Sequence, residues 1–230
     1  MNATRSIGAI ACVVALLVGC DDSTATPIVD DDAIASAVRV EAQGCGPRTR
    51  TGTGTTIDDG VVITAAHVVA GADRVDVVGA DGRRATAEVV AFDPLLDIAA
   101  LRPVTPVARP VALRSTPIAA DDVGVVVVAR NDDTTNSVIM ESVAVEVART
   151  VTIRTTDIYL EDDVERPGFE FEASIEPGDS GAMVHFPTGA AGVVWARSTI
   201  DPSRAWAVLL PPDLVSSSTS HEPVDTGPCR

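Results

Sequence analysis

Short runs of β-branched residues, cut every few positions by Asp-Gly turns and prolines, limit how this chain can fold. Val38-Arg39-Val40-Glu41 alternates, Thr51 to Ile57 is rich in Thr and Gly, and Asp58-Asp59-Gly60 separates it from Val61-Val62-Ile63-Thr64. Arg74 to Val78 alternates again, Ala80-Asp81-Gly82 turns the chain, and Ala85 to Phe92 follows. Alternation puts successive side chains on opposite faces of a sheet, and Asp-Gly joins antiparallel neighbours. Pro103, Pro106, Pro110 and Pro117 then interrupt the series, since proline disfavours central strands and helix interiors. A second set comprises Val123 to Val128, Ser142 to Ile153, Gly168 to Ala173, Ala182 to His185, Ala190 to Trp195 and Ala205 to Leu210. The pattern predicts an all-β fold, a barrel or sandwich in two strand sets joined by residues 103 to about 118.

Apolar residues make up 46% of the 230, enough for a sizeable core, but aromatics are only 3%, so Val and Ala with some Ile and Leu must fill it. The net charge of −16 excludes nucleic acid as a partner, because a phosphate backbone would be repelled. Every basic side chain is Arg and none is Lys. That excludes a Ser–Lys dyad, a Schiff base and the lysine of a phosphate-binding loop. So few soft ligands argue against a metal site, and no cofactor is expected.

Residues 1–19 read as an export signal: Arg5 is a positive start, and Ile7 to Val18 is apolar but too short to span a bilayer comfortably. It ends in Leu17-Val18-Gly19-Cys20, which resembles the lipobox of bacterial lipoproteins. The resemblance implies acylation of Cys20 and a mature chain held by that lipid on the extracytoplasmic side of a bacterial cell membrane. An ordinary cleaved signal with an incidental cysteine is the alternative. Residues 20–34, acidic at Asp21, Asp22, Asp30, Asp31 and Asp32, read as a disordered tether to a folded domain over 35–230. Export leaves Cys45 and Cys229 in an oxidising compartment, where one disulfide between the domain's two ends is expected; two free thiols are the alternative.

Three histidines limit the search for a general base. His67 follows a β-branched run and two alanines, His185 precedes Phe186-Pro187, and His221 lies in a Ser-rich tail. Each alone is more often structural than catalytic. Ser180 stands in Glu176-Pro177-Gly178-Asp179-Ser180-Gly181, where flanking glycines permit a backbone that thrusts the hydroxyl outward and turns the Gly178 N–H toward a reacting oxygen. Such turns are common, so the motif alone says little. Asp97 is an acid inside the apolar run Leu95-Leu96-Asp97-Ile98-Ala99-Ala100-Leu101, and a carboxylate buried there needs a partner. Asp93-Pro94 is the better turn initiator. Together the three side chains make a chemistry: histidine takes the serine proton and the acid fixes the imidazole. Their chain order, His then Asp then Ser, differs from that of subtilisins and α/β-hydrolases.

Thr64-Ala65-Ala66-His67, Asp97-Ile98-Ala99-Ala100-Leu101 and Gly178-Asp179-Ser180-Gly181 resemble the three signature blocks of trypsin-like serine proteases of the chymotrypsin fold. Their spacing is similar to the compact bacterial, HtrA-type branch. Cys45 to Leu101, and Gly192-Val193-Val194 onward to Cys229, are similar to actinobacterial periplasmic proteases of the MarP type. The resemblance implies two six-stranded antiparallel barrels, the first over about 35–102 and the second over about 119–230, with the active site between them. It implies His67, Asp97 and Ser180 as catalytic triad, Gly178 and Ser180 N–H groups as oxyanion hole, and a Cys45–Cys229 disulfide. Ser174 and the Val193, Val194, Trp195, Ala196, Arg197 stretch would line the primary specificity pocket, with no acid there to favour a basic substrate side chain.

The sequence departs from the family in places. Ala182 replaces the usual second glycine after the serine, and Asp179 stands where the compact branch often has Asn. In trypsin that Asp pairs with a newly cut N-terminus, but this chain has no Ile-Val-Gly-Gly start, so activation of that kind is not expected. The expected activity is a serine endopeptidase acting on protein or peptide substrates. A catalytically silent binding lipoprotein and an esterase for small acyl groups are the rival readings. Oligomeric state is not legible.

Overall fold

The computed structural model describes residues 31–132, 137–212, 214 and 222–230. The expected export signal, Cys20, the expected tether up to residue 30 and His221 lie outside these residues. Two closed six-stranded antiparallel barrels form the molecule. The first contains β1 (Ala37–Gly44), β2 (Gly46–Thr56), β3 (Val62–Thr64), β4 (Arg74–Gly79), β5 (Arg84–Asp93) and β6 (Ile98–Pro103), in ring order β1-β2-β3-β6-β5-β4. The second contains β7 (Val123–Asp132), β8 (Ser137–Thr156), β9 (Asp163–Glu172), β10 (Met183–Phe186), β11 (Gly189–Arg197) and β12 (Arg204–Val208), in ring order β10-β11-β12-β9-β8-β7.

The continuous apolar runs are strands with both faces covered. Ala99 and Leu101 of β6 pack inside the first barrel with Val38, Val40 and Val62. Ile98 and Ala100, on the opposite face, join Met183, Val193 and Val208 of the second barrel. That shared apolar layer fixes the seam between the barrels, and burial of this kind contributes about 25 cal/mol per Å² of apolar surface. Val126 and Val128 of β7 likewise face Phe169 and Phe171 inside the second barrel, while Val125 and Val127 face outward beneath Ala33 and Ala37.

Two boundaries differ from expectation. The acidic tether does not extend to residue 34: α1 (Asp31–Ser36) is already folded and its Ala33 is fully buried against β7. Its small side chain fits closely, and Asp31 and Asp32 sit in the first helical turn, where negative charge is favoured. Second, β8 runs unbroken for 20 residues, and β9 pairs with it from Asp163 onward. The outer part of that hairpin is mostly exposed, so its strand character left no apolar pattern.

A disulfide joins Cys45 and Cys229 across 184 residues. The C-terminal strap beside it is held by Gly71 N–H donating to Thr226 O (3.1 Å), Val224 N–H to Val89 O (2.8 Å) and the Tyr159 hydroxyl to Thr226 O (3.0 Å). Closing so long a loop restricts the unfolded chain, so Cys45→Ser/Cys229→Ser should lose about 2–5 kcal/mol and melt roughly 5–15 °C lower. Equal melting temperatures with and without the bridge would refute this.

Candidate active site

His67 lies on α2 (Ala66–Val69), a single turn after β3. Ala65, Ala66, Val68 and Val69 are all core residues, which explains the small and β-branched neighbours: the turn lies flat on the end of the first barrel. His67 is left at the surface, its side chain 21% exposed. Asp97 closes the four-residue turn between β5 and β6. Asp93 organises that turn, as its Oδ1 accepts the N–H groups of Leu95 (2.9 Å) and Leu96 (2.8 Å). Asp97 itself takes a left-handed backbone (φ 60), a conformation that Asp tolerates better than most residues.

That conformation brings the buried carboxylate under α2. Asp97 Oδ1 accepts the His67 backbone N–H at 2.8 Å, and Oδ2 stands 2.8 Å from His67 Nδ1. One oxygen holds the helical turn and the other holds the ring. A carboxylate against Nδ1 makes that nitrogen the protonated one in neutral imidazole and leaves Nε2 to accept a proton.

Ser180 comes from the second barrel, on the loop between β9 and β10, and is gripped by β2 of the first. Thr53 N–H donates to Ser180 O (2.9 Å), and the Thr53 hydroxyl donates to Gly178 O (3.2 Å) while accepting Ala129 N–H (3.0 Å). Over Gly52 the Ser180 carbonyl and Val68 of α2 meet, both within 3.0 Å of where a Cβ would stand. The Val68 side chain of the histidine turn and the backbone of the nucleophile loop thus converge on Gly52. Among the described residues no hydrogen bond joins the Ser180 hydroxyl to the His67 ring.

The flanking glycines are required for different reasons. Gly178 (φ +103) has open space around a would-be Cβ, whereas at Gly181 (φ +93) a Cβ would stand 2.3 Å from both Thr53 O and Thr64 Oγ1. Gly178→Ala should therefore cost about 1–2 kcal/mol of backbone strain. Gly181→Ala adds a steric clash and should cost about 3–5 kcal/mol. Denaturant titration separates them; equal losses would defeat the packing argument.

Asp179, between these glycines, is 1% exposed. Arg130 of β7 donates to it from Nη2 (2.8 Å) and Nε (3.3 Å), and Glu176 N–H donates at 2.8 Å. The carboxylate holds the Arg130 guanidinium well above its ordinary range. Arg130 thus supplies the cation that a cut N-terminus supplies in trypsin, and neither it nor Thr53 was singled out from the sequence.

Of the residues expected to line a specificity pocket, Val193 and Val194 bury their side chains in packed cores. Ser174 and Arg197 are exposed, and Trp195 and Ala196 are partly so. His185 is a buried strand residue of β10. Among the described residues no group of three or more His, Cys, Asp or Glu is placed to hold a metal ion.

The profile of the trypsin-like peptidase domain matches residues 52–191. Among solved structures, the Rv3671c protease of M. tuberculosis in its active form superposes with a TM-score of 0.74 at 26% identity, over 86% of each chain. An inactive form of the same protease gives 0.62 at 26% identity, over 81% of this chain and 88% of that one. A serine endoprotease from Yersinia pestis gives 0.60 at 20% identity, over 80% of this chain and 61% of that one, a likeness of fold. No curated protein matches the chain.

Proposed function

Since the chain belongs to the trypsin-like peptidase family, a serine-type hydrolase family, we propose that it is an endopeptidase working through His67, Asp97 and Ser180 by way of an acyl-enzyme. The observation that carries this reading is the double hold of Asp97 on His67, at 2.8 Å to the backbone N–H and 2.8 Å to Nδ1. A surface histidine needs no buried acid behind it; a general base does.

The steps follow from the chemistry. The reaction requires Ser180 Oγ to meet His67 Nε2. Oγ attacks the peptide carbonyl carbon as Nε2 takes its proton, and the imidazolium that forms is stabilised by Asp97. The carbonyl oxygen becomes an oxyanion, received by the N–H groups of Gly178 and Ser180. Collapse breaks the C–N bond, Nε2 returns the proton to the leaving amine, and the acyl group stays on Oγ. Water, deprotonated by Nε2, attacks that ester; the acid leaves and Ser180 regains its proton.

A fluorophosphonate probe should label the wild-type chain on Ser180 alone. Peptides cut from a proteome digest by the purified chain, absent with Ser180→Ala, would distinguish an endopeptidase from an esterase. No labelling of Ser180 would reject the reading in favour of a silent binding module, and labelling without cleavage beyond the Ser180→Ala control would reject it in favour of an esterase.

The lipobox-like Leu17-Val18-Gly19-Cys20 supports a lipid anchor on the extracytoplasmic side of a bacterial membrane. No helix among the described residues is long and apolar enough to cross one. Cys20→Ala should move the full chain from the membrane to the soluble fraction; retention on the membrane would refute the anchor.

A further inference from the structure

We propose that Arg166 is a positioning residue of the catalytic centre, a buried cation that reaches from the second barrel to the back of Asp97 and keeps its carboxylate aimed at His67. The proposal rests on the triad reading above. Arg166 lies on β9 and is 1% exposed, the largest of the fully buried side chains. Its Nε donates to Leu95 O (2.7 Å) and its Nη2 to Thr156 O (3.2 Å), and the guanidinium lies over the Trp195 ring at 4.8 Å. These contacts direct the remaining Nη1 toward Asp97 Oδ2, 3.9 Å away. Nη1 is buried and has no hydrogen-bond partner.

Asp97 is short of donors on that side. Among the described residues its carboxylate accepts hydrogen bonds only from His67. A buried carboxylate needs more compensation than one ring and one backbone N–H supply. Leu95 O and Thr156 O would accept equally well from a neutral amide, and burial pushes the Arg166 guanidinium down. The charge gains most from Asp97, which opposes that effect more than Asp93 or Asp157 does. A cation behind Oδ2 also opposes transfer of the Nδ1 proton onto the acid, so the positive charge stays on the imidazolium where the serine step needs it. The same side chain ties the Asp97 turn to the second barrel, beside Ile158 N–H donating to Pro94 O (3.2 Å).

The test compares Arg166→Gln, which keeps amide donors but no charge, with Arg166→Lys, which keeps the charge. Arg166→Gln should lower kcat by about 10–100-fold with KM within about threefold, and Arg166→Lys should restore at least about fivefold of that loss. In an Asp97→Asn background, Arg166→Gln should cost less than about twofold, because its effect passes through Asp97. The His67 Nδ1 proton resonance should move in Arg166→Gln and persist in Arg166→Lys. Equal kcat for the two variants, a loss that persists beside Asp97→Asn, or an unmoved resonance overturns the proposal. If Arg166→Gln does not fold, the lysine variant decides: a retained Nδ1 resonance supports the role of charge, and a lost one overturns it. Absence of Ser180-dependent turnover in the unmutated chain overturns the triad reading instead, and the resonance still reads the Arg166–Asp97 contact.

Discussion

Ser180→Ala should abolish peptide hydrolysis: kcat/KM should fall about a million-fold, while the melting temperature barely moves. The side chain lost is small and half-buried, and the loop around it is held by backbone bonds, Thr53 N–H to Ser180 O and Gly181 N–H to Val194 O, both 2.9 Å. Neither needs the hydroxyl. Adding His67→Ala to Ser180→Ala should cost nothing further, because a base without a nucleophile has no proton to take. Asp97→Asn should cost about 10⁴-fold through a different route. An amide turned toward Nδ1 donates where the carboxylate accepted, which moves the ring proton to Nε2, the nitrogen that must be empty. Three results would break the unit: appreciable hydrolysis by Ser180→Ala, a further loss on adding His67→Ala, or an Asp97→Asn enzyme as fast as wild type.

The barrels were legible because their strands obey simple patterns, but the strands did not all announce themselves equally. Val123 to Val128 reads as a fully buried run, and β7 buries Val125 to Val128 on both faces while Val123 is exposed; the apolar run after Asp97, not singled out as a strand, is β6. The outer half of the β8–β9 hairpin was illegible, since residues such as Arg154 and Glu165 pair with each other in solvent rather than over a core. The α1 turn was hidden for the opposite reason. Ala33 and Ser36 are too small to mark an apolar face, and acid-rich sequence before them resembles linker.

The three residues proposed as the triad stand out in the sequence because each breaks a local pattern. Asp97 is an acid in an apolar run, and His67 is a polar ring after two buried alanines. Arg130, Thr53 and Arg166 break none. Each lies on a strand, and its partner is far away in sequence: Arg130 is 49 residues from Asp179, Thr53 is 125 from Gly178, and Arg166 is 71 from Leu95. One clue was available. A buried Asp179 needs a partner, and in a chain without lysine a cationic side-chain partner is an arginine or a histidine.

Arg130→Ala should be the most damaging substitution outside the triad. Among the described residues it leaves Asp179, 1% exposed, with only the Glu176 N–H for its carboxylate. Removing one partner of a buried ion pair costs about 3–5 kcal/mol, because the remaining charge is left uncompensated. Asp179 can then recover only by taking up a proton or turning toward water. Either response pulls on its own backbone, where its N–H donates to Glu176 O (3.1 Å) and its carbonyl accepts Ala182 N–H (3.2 Å). Gly178 and Ser180, the two proposed oxyanion donors, are its immediate neighbours, so kcat should fall about 10²–10³-fold, as for loss of an oxyanion-hole donor. The partner lost is the Arg130 charge, so neutralising both residues should undo most of the damage. Arg130→Ala/Asp179→Asn should regain much of the stability, since no buried charge is then left without its partner. The compact bacterial proteases that carry Asn at this position are consistent with a loop that tolerates an amide there. Chemical denaturation and single-turnover acylation of the four chains in the cycle would decide it. If Arg130→Ala acylates at the wild-type rate, or if Asp179→Asn deepens its loss rather than relieving it, the ion pair does not shape the nucleophile loop.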